Sequence, residues 1–163
     1  MRLDLRDIIQ VPGGVKTFDF SLDLSDLDFY GEKPICEPVY VRGQVVNRAG
    51  LLELEATASS NLHLRCDSCG KPFQRVKTVD VQRMLATELQ DEEDDDIILL
   101  DGSILDVGEV MTTEFILEMD IKNLCREDCK GICPKCGADL NTEPCKCKPD
   151  IDPRLAALAS LLE

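Results

Sequence analysis

Apolar and polar residues alternate along the first two thirds of the chain, and this pattern predicts β-strands. Between residues 18 and 24, an apolar side chain occupies every second position, with Asp or Ser between. A period of two is typical of a strand that buries one face and leaves the other in water. The same alternation returns at 39–45 and 52–58, on either side of a turn at 47–50, and therefore predicts a hairpin.

A second hairpin is predicted around the sequence CDSCGK at 66–71. Apolar positions at 62–66 lead into this segment, and a further set at 73–81, which alternates less regularly, leads out of it. The couple formed by Cys66 and Cys69 is therefore expected at the tip of the hairpin.

The chain changes character after the second hairpin. Six consecutive acidic residues, DEEDDD at 91–96, predict a solvated linker because like charges repel each other; a docking surface for a basic partner is the alternative. A short strand is predicted at 97–100. Asp106 resembles an N-cap with Glu109 as its capping-box partner, and the apolar spacing that follows predicts one helix over about 107–119.

The last residues, 151–163, predict a short helix with one apolar stripe. Asp152 can cap this helix, Pro153 suits its first turn, and the stripe consists of Leu155, Leu158 and Leu162. An isolated helix of this length is marginal in water. We therefore expect it to dock, by preference on the protein's own sheet and alternatively on a partner.

These elements define the expected architecture. The fold class is α+β and β-rich, with an antiparallel sheet of hairpins, one internal helix, and a C-terminal zinc-knuckle segment that ends in a short helix. The expected divisions are a β-rich domain with one helix at 1–120, a cysteine-rich zinc segment at 121–150 and a docking helix at 151–163.

Composition and charge narrow the classes of function. The 163 residues carry a formal net charge of −14, which disfavours general non-specific binding to nucleic acid. A regulator of DNA is disfavoured further because the pattern contains no basic recognition helix. No apolar run approaches the roughly 18 residues that span a bilayer. The first ten residues lack the features of a secretory signal, so a reducing cytoplasm is the expected compartment.

Nine cysteines supply the candidate chemistry. Eight of them form closely spaced couples, which are Cys66 with Cys69, Cys125 with Cys129, Cys133 with Cys136, and Cys145 with Cys147. Close couples in a reducing compartment favour metal over disulfides, and four thiolates in a tetrahedron are typical of structural zinc. The segment that holds six of these cysteines has few aliphatic residues to bury, so we expect metal to organise it.

Chain reach favours two zinc sites. Eight residues separate Cys136 from Cys145, which suits a short loop that brings the last couple back to the preceding one. One zinc would then be held by the last four cysteines, and a second by Cys66, Cys69, Cys125 and Cys129. In the alternative arrangement, the two CxxC couples that precede Gly70 and Gly137 surround a single zinc.

Catalytic interpretations of the cysteines are weaker. A redox enzyme or a thiol-based redox-sensing metal protein would use the CxxC couples, but Cys66 follows a strand rather than opening a helix. Cys-His catalysis would need the one histidine, His63, which the alternation places on a solvated face. Cys36 stands alone and is expected to be an inert thiol. The expected activity is therefore binding rather than catalysis.

A local excess of positive charge surrounds the hairpin couple. Between residues 65 and 77, Asp67 opposes four basic residues, which are Arg65, Lys71, Arg75 and Lys77. These four form a candidate contact for RNA, whereas the alternative is that cations near the cysteines offset the charge of zinc thiolates. Only Phe73 is available for stacking, which argues against a platform for single-stranded nucleic acid.

The order of these motifs resembles a known family. The segments RCDSCGKPF, CKGICPKCGADLN and CKC, followed by DPRLAALASLL, are similar to the Gram-positive, cysteine-rich form of the YceD-like large ribosomal RNA subunit accumulation proteins. The resemblance covers about 39–163. It implies a cytoplasmic, non-enzymatic protein needed for the accumulation or maturation of large-subunit (23S) ribosomal RNA. The implied partners are the large-subunit ribosomal RNA precursor or a basic large-subunit ribosomal protein.

Overall fold

The computed structural model describes residues 1–87 and 97–147. Seven strands and two helices are assigned within these ranges: β1 (Arg2–Asp4), α1 (Arg6–Ile9), β2 (Val15–Leu22), β3 (Val39–Arg48), β4 (Leu51–Arg65), β5 (Pro72–Ala86), β6 (Ile97–Leu99), β7 (Ile104–Asp106) and α2 (Val107–Leu117). The predicted acidic linker at 91–96 and the predicted docking helix at 151–163 lie outside the described residues.

The main sheet follows the alternation of the sequence. Among the described strands its order is β2-β3-β4-β5-β6, and β3 runs antiparallel to both β2 and β4. Residues at every second position of β3 and β4 face the core, as in the cross-strand pairs Val45 with Leu54 and Val41 with Ala58. Burying one face of each strand supplies the main hydrophobic stabilisation of the sheet.

Gly43 occupies the middle of β3 because a side chain would not fit there. It pairs with Phe18 on β2 and with Ala56 on β4. A Cβ atom added to Gly43 would lie 2.7 Å from the Cβ of Ala56. The close approach of the strands at this point therefore excludes larger residues.

The turn between β3 and β4 is held by a buried asparagine. Ala49 and Gly50 both have positive φ, at 55° and 97°, as the turn of a tight hairpin requires. The Asn47 side chain is buried; its amide donates to the carbonyls of Ile8 and Ile9 at 2.8 and 2.7 Å, and its Oδ1 accepts from Gly50 N–H at 2.7 Å. One side chain thus joins the turn to α1.

Helix α2 packs its apolar face into the core. Hydrogen bonds hold the helix at its N-terminus and near its C-terminus. Met111 and Phe115 are fully buried. Asp106 caps the helix, because its carboxylate accepts from Glu109 N–H at 3.2 Å. Further along, Arg83 on β5 donates two hydrogen bonds to the Glu114 carboxylate, at 2.9 and 3.1 Å.

The predicted fold class and the predicted internal helix are confirmed. The structure adds three features that the sequence pattern did not reveal. Strand β6 pairs with β5 in parallel, and β1 pairs with β7 in a separate two-stranded sheet. Helix α1 is four residues long. The predicted short strand at 97–100 corresponds to β6, although its parallel pairing was not predicted. Strands β1 and β7 and helix α1 have three or four residues, which are too few to establish a period, and this explains why they escaped prediction.

The chain folds as two compact units. The first contains Met1–Leu64 and Pro72–Lys122, and the second contains Arg65–Lys71 and Asn123–Glu163, of which 123–147 are described. The first unit holds the described strands and helices, apart from Arg65 at the end of β4. In the described ranges, no helix is long and apolar enough to cross a bilayer.

We expect replacement of Asn47 by Ala to destabilise the first unit. The carbonyls of Ile8 and Ile9 would lose a buried donor, which should lower the free energy of unfolding by about 2 kcal/mol. Urea denaturation followed by circular dichroism measures this change. The control is Asn61→Ala, whose amide donates to the exposed Glu37 carboxylate and should contribute less. Equal losses in the two variants would contradict the assigned role of Asn47.

Candidate metal centres

Eight cysteines converge in two groups within the second unit. The first cluster consists of Cys66, Cys69, Cys125 and Cys129, and the second cluster of Cys133, Cys136, Cys145 and Cys147. In each cluster, the four sulfur atoms lie within 4.8 Å of one another. All nine cysteines are free thiols. This is the grouping that loop length favoured, whereas the two CxxC couples lie in different clusters.

The first cluster joins two segments that are far apart in sequence. The sulfur of Cys66 lies 3.7 Å from that of Cys129, and the sulfur of Cys69 lies 3.7 Å from that of Cys125. Beside them, Asp67 N–H donates to the Asn123 carbonyl at 2.8 Å, and Asn123 N–H donates to the Asp67 carboxylate at 2.5 Å. Each couple therefore supplies two sulfurs to one point.

The second cluster is local in sequence. The sulfur of Cys145 lies 3.7 Å from that of Cys136 and 3.3 Å from that of Cys133. Backbone Cys147 N–H also donates to the Cys145 sulfur at 3.1 Å. The loop at 137–144 returns the last couple to the preceding one, as the eight-residue spacing predicts.

The two CxxC couples adopt the same turn, and glycine makes it possible. In the first cluster, Cys66 N–H donates to the Lys71 carbonyl, and Gly70 N–H donates to the Cys66 carbonyl. In the second cluster, Cys133 N–H donates to the Ala138 carbonyl, and Gly137 N–H donates to the Cys133 carbonyl. Gly70 and Gly137 have φ values of 71° and 73°, a region that strongly favours glycine.

The sulfur spacings fit a tetrahedral tetrathiolate site. A Zn–S bond of ~2.3 Å in a tetrahedron places sulfur atoms ~3.8 Å apart. The four sulfur pairs described above are 3.3 to 3.7 Å apart. Four thiol ligands per site match structural zinc, since catalytic zinc sites have three protein ligands and one open position. Both clusters can therefore hold a metal ion, with Zn²⁺ as the expected one.

Thiol acidity in the clusters indicates that four thiolates need a cation. Burial raises the pKa of Cys66, but backbone N–H groups of Cys125, Cys69 and Ser68 outweigh this effect and lower the pKa to about 6. In the same cluster, burial and the neighbouring thiols raise the pKa of Cys125 to about 12. Because one thiolate opposes the ionisation of the next thiol, a bound cation is required to keep all four cysteines ionised.

The second cluster shows the same division. Backbone N–H groups of Cys136 and Lys135 lower the pKa of Cys133 to about 6. Hydrogen bonds with the thiols of Cys145 and Cys136 raise the pKa of Cys147 to about 12. The first thiol of this CxxC turn is thus prepared for ionisation, as is Cys66, the first thiol of the other.

Burial in the second unit also points to metal. Among its described residues, the buried hydrophobic side chains are Cys66, Cys69 and Cys133. Ile132 is 48% exposed. A segment with so little apolar surface to bury depends on another source of stability, which metal coordination supplies.

The predicted basic residues each have a partner within their own unit. In the second unit, Arg65 donates to the Gly70 carbonyl at 3.0 Å, and Lys71 pairs with Asp139 at 2.6 Å. In the first unit, Arg75 and Lys77 lie 3.6 and 3.5 Å from the Asp120 carboxylate. Their role as a contact for RNA stays a prediction.

Two residues that sequence spacing missed lie in the loop of the second cluster. The Asn141 amide donates to the Cys129 sulfur at 3.6 Å, and Asp139 accepts from Lys71. Both belong to the motif CKGICPKCGADLN, but nothing in their spacing marks them as partners of the other cluster. Cys36 and His63 lie outside both clusters; Cys36 donates to the Lys33 carbonyl and His63 contacts Glu37.

A β-rich fold with two tetracysteine clusters defines the class of protein, and comparison with known proteins identifies the family. Residues 54–162 match the family of large ribosomal RNA subunit accumulation protein YceD. This match covers more than half of the chain, which therefore belongs to the YceD family. No solved structure matches the chain.

Relatives in bacteria and plants support this assignment. The chain is 28% identical over 180 residues to the chloroplastic "Large ribosomal RNA subunit accumulation protein YCED homolog 1" of Zea mays, covering 91% of this chain and 61% of that protein. It is 27% identical to YlbN of Bacillus subtilis, covering 100% of this chain and 97% of YlbN. A Mycobacterium bovis protein is 38% identical over 77 residues, which are 47% of this chain and 37% of that protein.

With metal in excess, we expect two Zn²⁺ per chain, one for each tetracysteine group. Cys69→Ser and Cys145→Ser should each bind one ion fewer, because each removes a ligand from a different cluster. Metal analysis after gel filtration under reducing conditions measures the stoichiometry. Cys36→Ser is the matched control and should retain both ions. A single ion per wild-type chain, lost in Cys69→Ser and in Cys136→Ser alike, would favour the competing pairing.

Proposed function

We propose that this protein is a non-enzymatic, zinc-binding factor of ribosome biogenesis that promotes the accumulation or maturation of 23S ribosomal RNA in the cytoplasm. The match of residues 54–162 to the YceD family carries this proposal. The name of the maize relative also refers to the accumulation of large-subunit ribosomal RNA. The chain spans 61% of the length of that relative. The activity and the partners of this protein are therefore part of the proposal.

Zinc has a structural role in this proposal. Two four-coordinate sites would use all eight clustered thiols, which would leave no coordination position for an activated water. The cysteine-rich segment proposed at 121–150 would fold around the metal, and the β-rich domain proposed at 1–120 would rest on its own hydrophobic core. The docking helix proposed at 151–163 lies outside the described residues.

The protein would act as an adaptor that binds RNA or a ribosomal protein. Its net charge of −14 suits a basic large-subunit ribosomal protein, because opposite charges accelerate and orient association. The acidic run at 91–96 would contribute to that attraction. The precursor of large-subunit ribosomal RNA is the other candidate partner, contacted through Arg65, Lys71, Arg75 and Lys77.

A redox-sensing metal protein is the alternative function, and the exposure of two thiols favours it. Cys136 and Cys147 are exposed, whereas Cys66 and Cys69 are buried, so oxidants would reach the second cluster more readily. Mild peroxide would then release metal reversibly. Peroxide resistance of the metal-loaded chain, together with loss of structure on chelation, would exclude this alternative.

The proposal predicts that depletion of the protein lowers 23S relative to 16S ribosomal RNA. Affinity purification at low salt followed by sedimentation should recover the wild-type protein with immature large-subunit particles. A variant with Cys69→Ser and Cys145→Ser should fail to restore 23S levels, whereas Cys36→Ser should restore them. Unchanged ribosomal RNA on depletion, with the protein sedimenting as a free small species, would contradict the proposed role.

Charge reversal tests the contact with RNA. Arg75→Glu together with Lys77→Glu should weaken association with precursor particles by about tenfold, because two attractive contacts to phosphate become repulsive. The matched control is Asp120→Asn, which removes the same ion pairs but keeps both basic side chains. Equal binding by the reversed variant and wild type would remove these residues from the proposed interface.

A further inference from the structure

We propose that the two cysteine clusters bind metal cooperatively, and that Asn141 couples them. This inference rests on the proposed binding of metal by both clusters. It goes further by assigning a role to a residue that is not itself a ligand. The loop of the second cluster holds the cysteine couples of the first, so ordering that loop prepares the first cluster for its ion.

The loop at 137–144 depends on the second cluster for its closure. Cys136 precedes the loop and Cys145 follows it, and their sulfurs lie 3.7 Å apart. A cation shared by these sulfurs fixes both ends of the loop. Metal in the second cluster therefore lowers the entropy of the loop before any further contact forms.

Asn141 lies within this loop and reaches a thiol of the first cluster. Its Nδ2 donates to the Cys129 sulfur at 3.6 Å. Its Oδ1 accepts from Lys130 N–H and from the Arg126 guanidinium, both at 2.8 Å. One amide therefore holds the chain on both sides of Cys129 and directs a hydrogen-bond donor at the sulfur.

Asp139 gives the loop a second contact with the first cluster and orients Asn141. Its Oδ2 accepts from Lys71 Nζ at 2.6 Å, two residues after Cys69. Its Oδ1 accepts from Asn141 N–H and from Asn141 Nδ2, at 2.9 and 2.8 Å. The loop thus contacts segments that carry ligands from both couples of the first cluster.

Backbone contacts hold the same segments together. Leu140 N–H donates to the Gly131 carbonyl at 3.0 Å, and Ile132 N–H donates to the Ser68 carbonyl at 3.1 Å. A Cβ on Gly131 would lie 2.8 Å from that Ser68 oxygen. The chain between the clusters therefore packs closely against the CxxC turn of the first cluster, leaving little room for independent motion.

Through these contacts, ordering of one cluster raises the metal affinity of the other. Four thiolates and one Zn²⁺ carry two excess negative charges, which an N–H donor at a sulfur offsets. When the second cluster is loaded, that donor is already in place, and the first cluster loses less conformational entropy on binding its ion. Linkage makes the effect reciprocal, so each ion strengthens the binding of the other by the same factor.

The coupling can be measured without assigning the order of filling. Co²⁺ is titrated into the reduced, metal-free full chain, with a competing chelator and thiolate-to-metal absorption as the signal. Two variants isolate the clusters: Cys66→Ser with Cys69→Ser retains the second, and Cys145→Ser with Cys147→Ser retains the first. The product of the two association constants of the unmodified chain should exceed the product of the single-cluster constants by at least about fivefold.

Asn141→Ala should reduce this ratio toward one while both clusters still fill at saturating Co²⁺. Asn141→Asp should act at least as strongly, because a carboxylate faces the sulfur where a donor was. Glu143→Ala, an exposed position in the same loop, is the matched control and should preserve the ratio.

Two results would overturn the inference. A ratio near one in the unmodified chain would show that the clusters bind independently, although both would still be metal sites. A large ratio that Asn141→Ala leaves unchanged would remove Asn141 as the coupling residue. Failure of a single-cluster variant to bind Co²⁺ at all would instead contradict the underlying proposal that both clusters are metal sites.

Discussion

Mutual repulsion among neighbouring thiolates is the constraint on which the cysteine-rich unit depends. Its described part buries cysteines where an ordinary domain buries aliphatic side chains, so the same atoms that form its interior also carry the charge that opposes its folding. A divalent metal ion would resolve this conflict because one ion attracts four sulfurs at once. Hydrogen bonds to sulfur, such as those from Asn141 and Cys147 N–H, would offset part of the negative charge that remains.

The first unit rests on a different interaction, and for that reason its fold was largely predictable. Hydrophobic burial selects one face of a strand, so the period of two in the sequence reports the sheet directly. The cap at Asp106 is equally local, since it involves a backbone donor three residues away. The parallel pairing of β6 with β5 depends on where a distant segment returns, and no local pattern specifies it. The buried amide of Asn47 reads in the sequence as an ordinary turn residue, although it also holds α1.

The four cysteine couples could be predicted from the sequence, whereas the residues that contact them could not. Spacing reveals which thiols can approach one ion, and loop length distinguishes between the two ways of combining the couples. The basic side chains were harder, because Lys71 and Lys77 have carboxylate partners, Asp139 and Asp120, that lie 68 and 43 residues away in sequence. Pairing with a carboxylate lowers the charge available to phosphate. A cluster of basic residues in sequence is therefore weaker support for an RNA contact than its count implies.

The two clusters differ in the length of chain that each must close. This difference predicts the order in which they form. Closing the second cluster brings together residues 133 to 147, whereas the first joins Cys69 to Cys125 across 56 residues. The entropy of loop closure grows with length, and short loops close faster. The second cluster is therefore expected to form first and to present Asn141 to the chain around Cys129. If the clusters are coupled as proposed, thermodynamic reciprocity means that metal in the long-range cluster also stabilises the local one. The unit would then gain more stability from two ions than the two sites would provide separately.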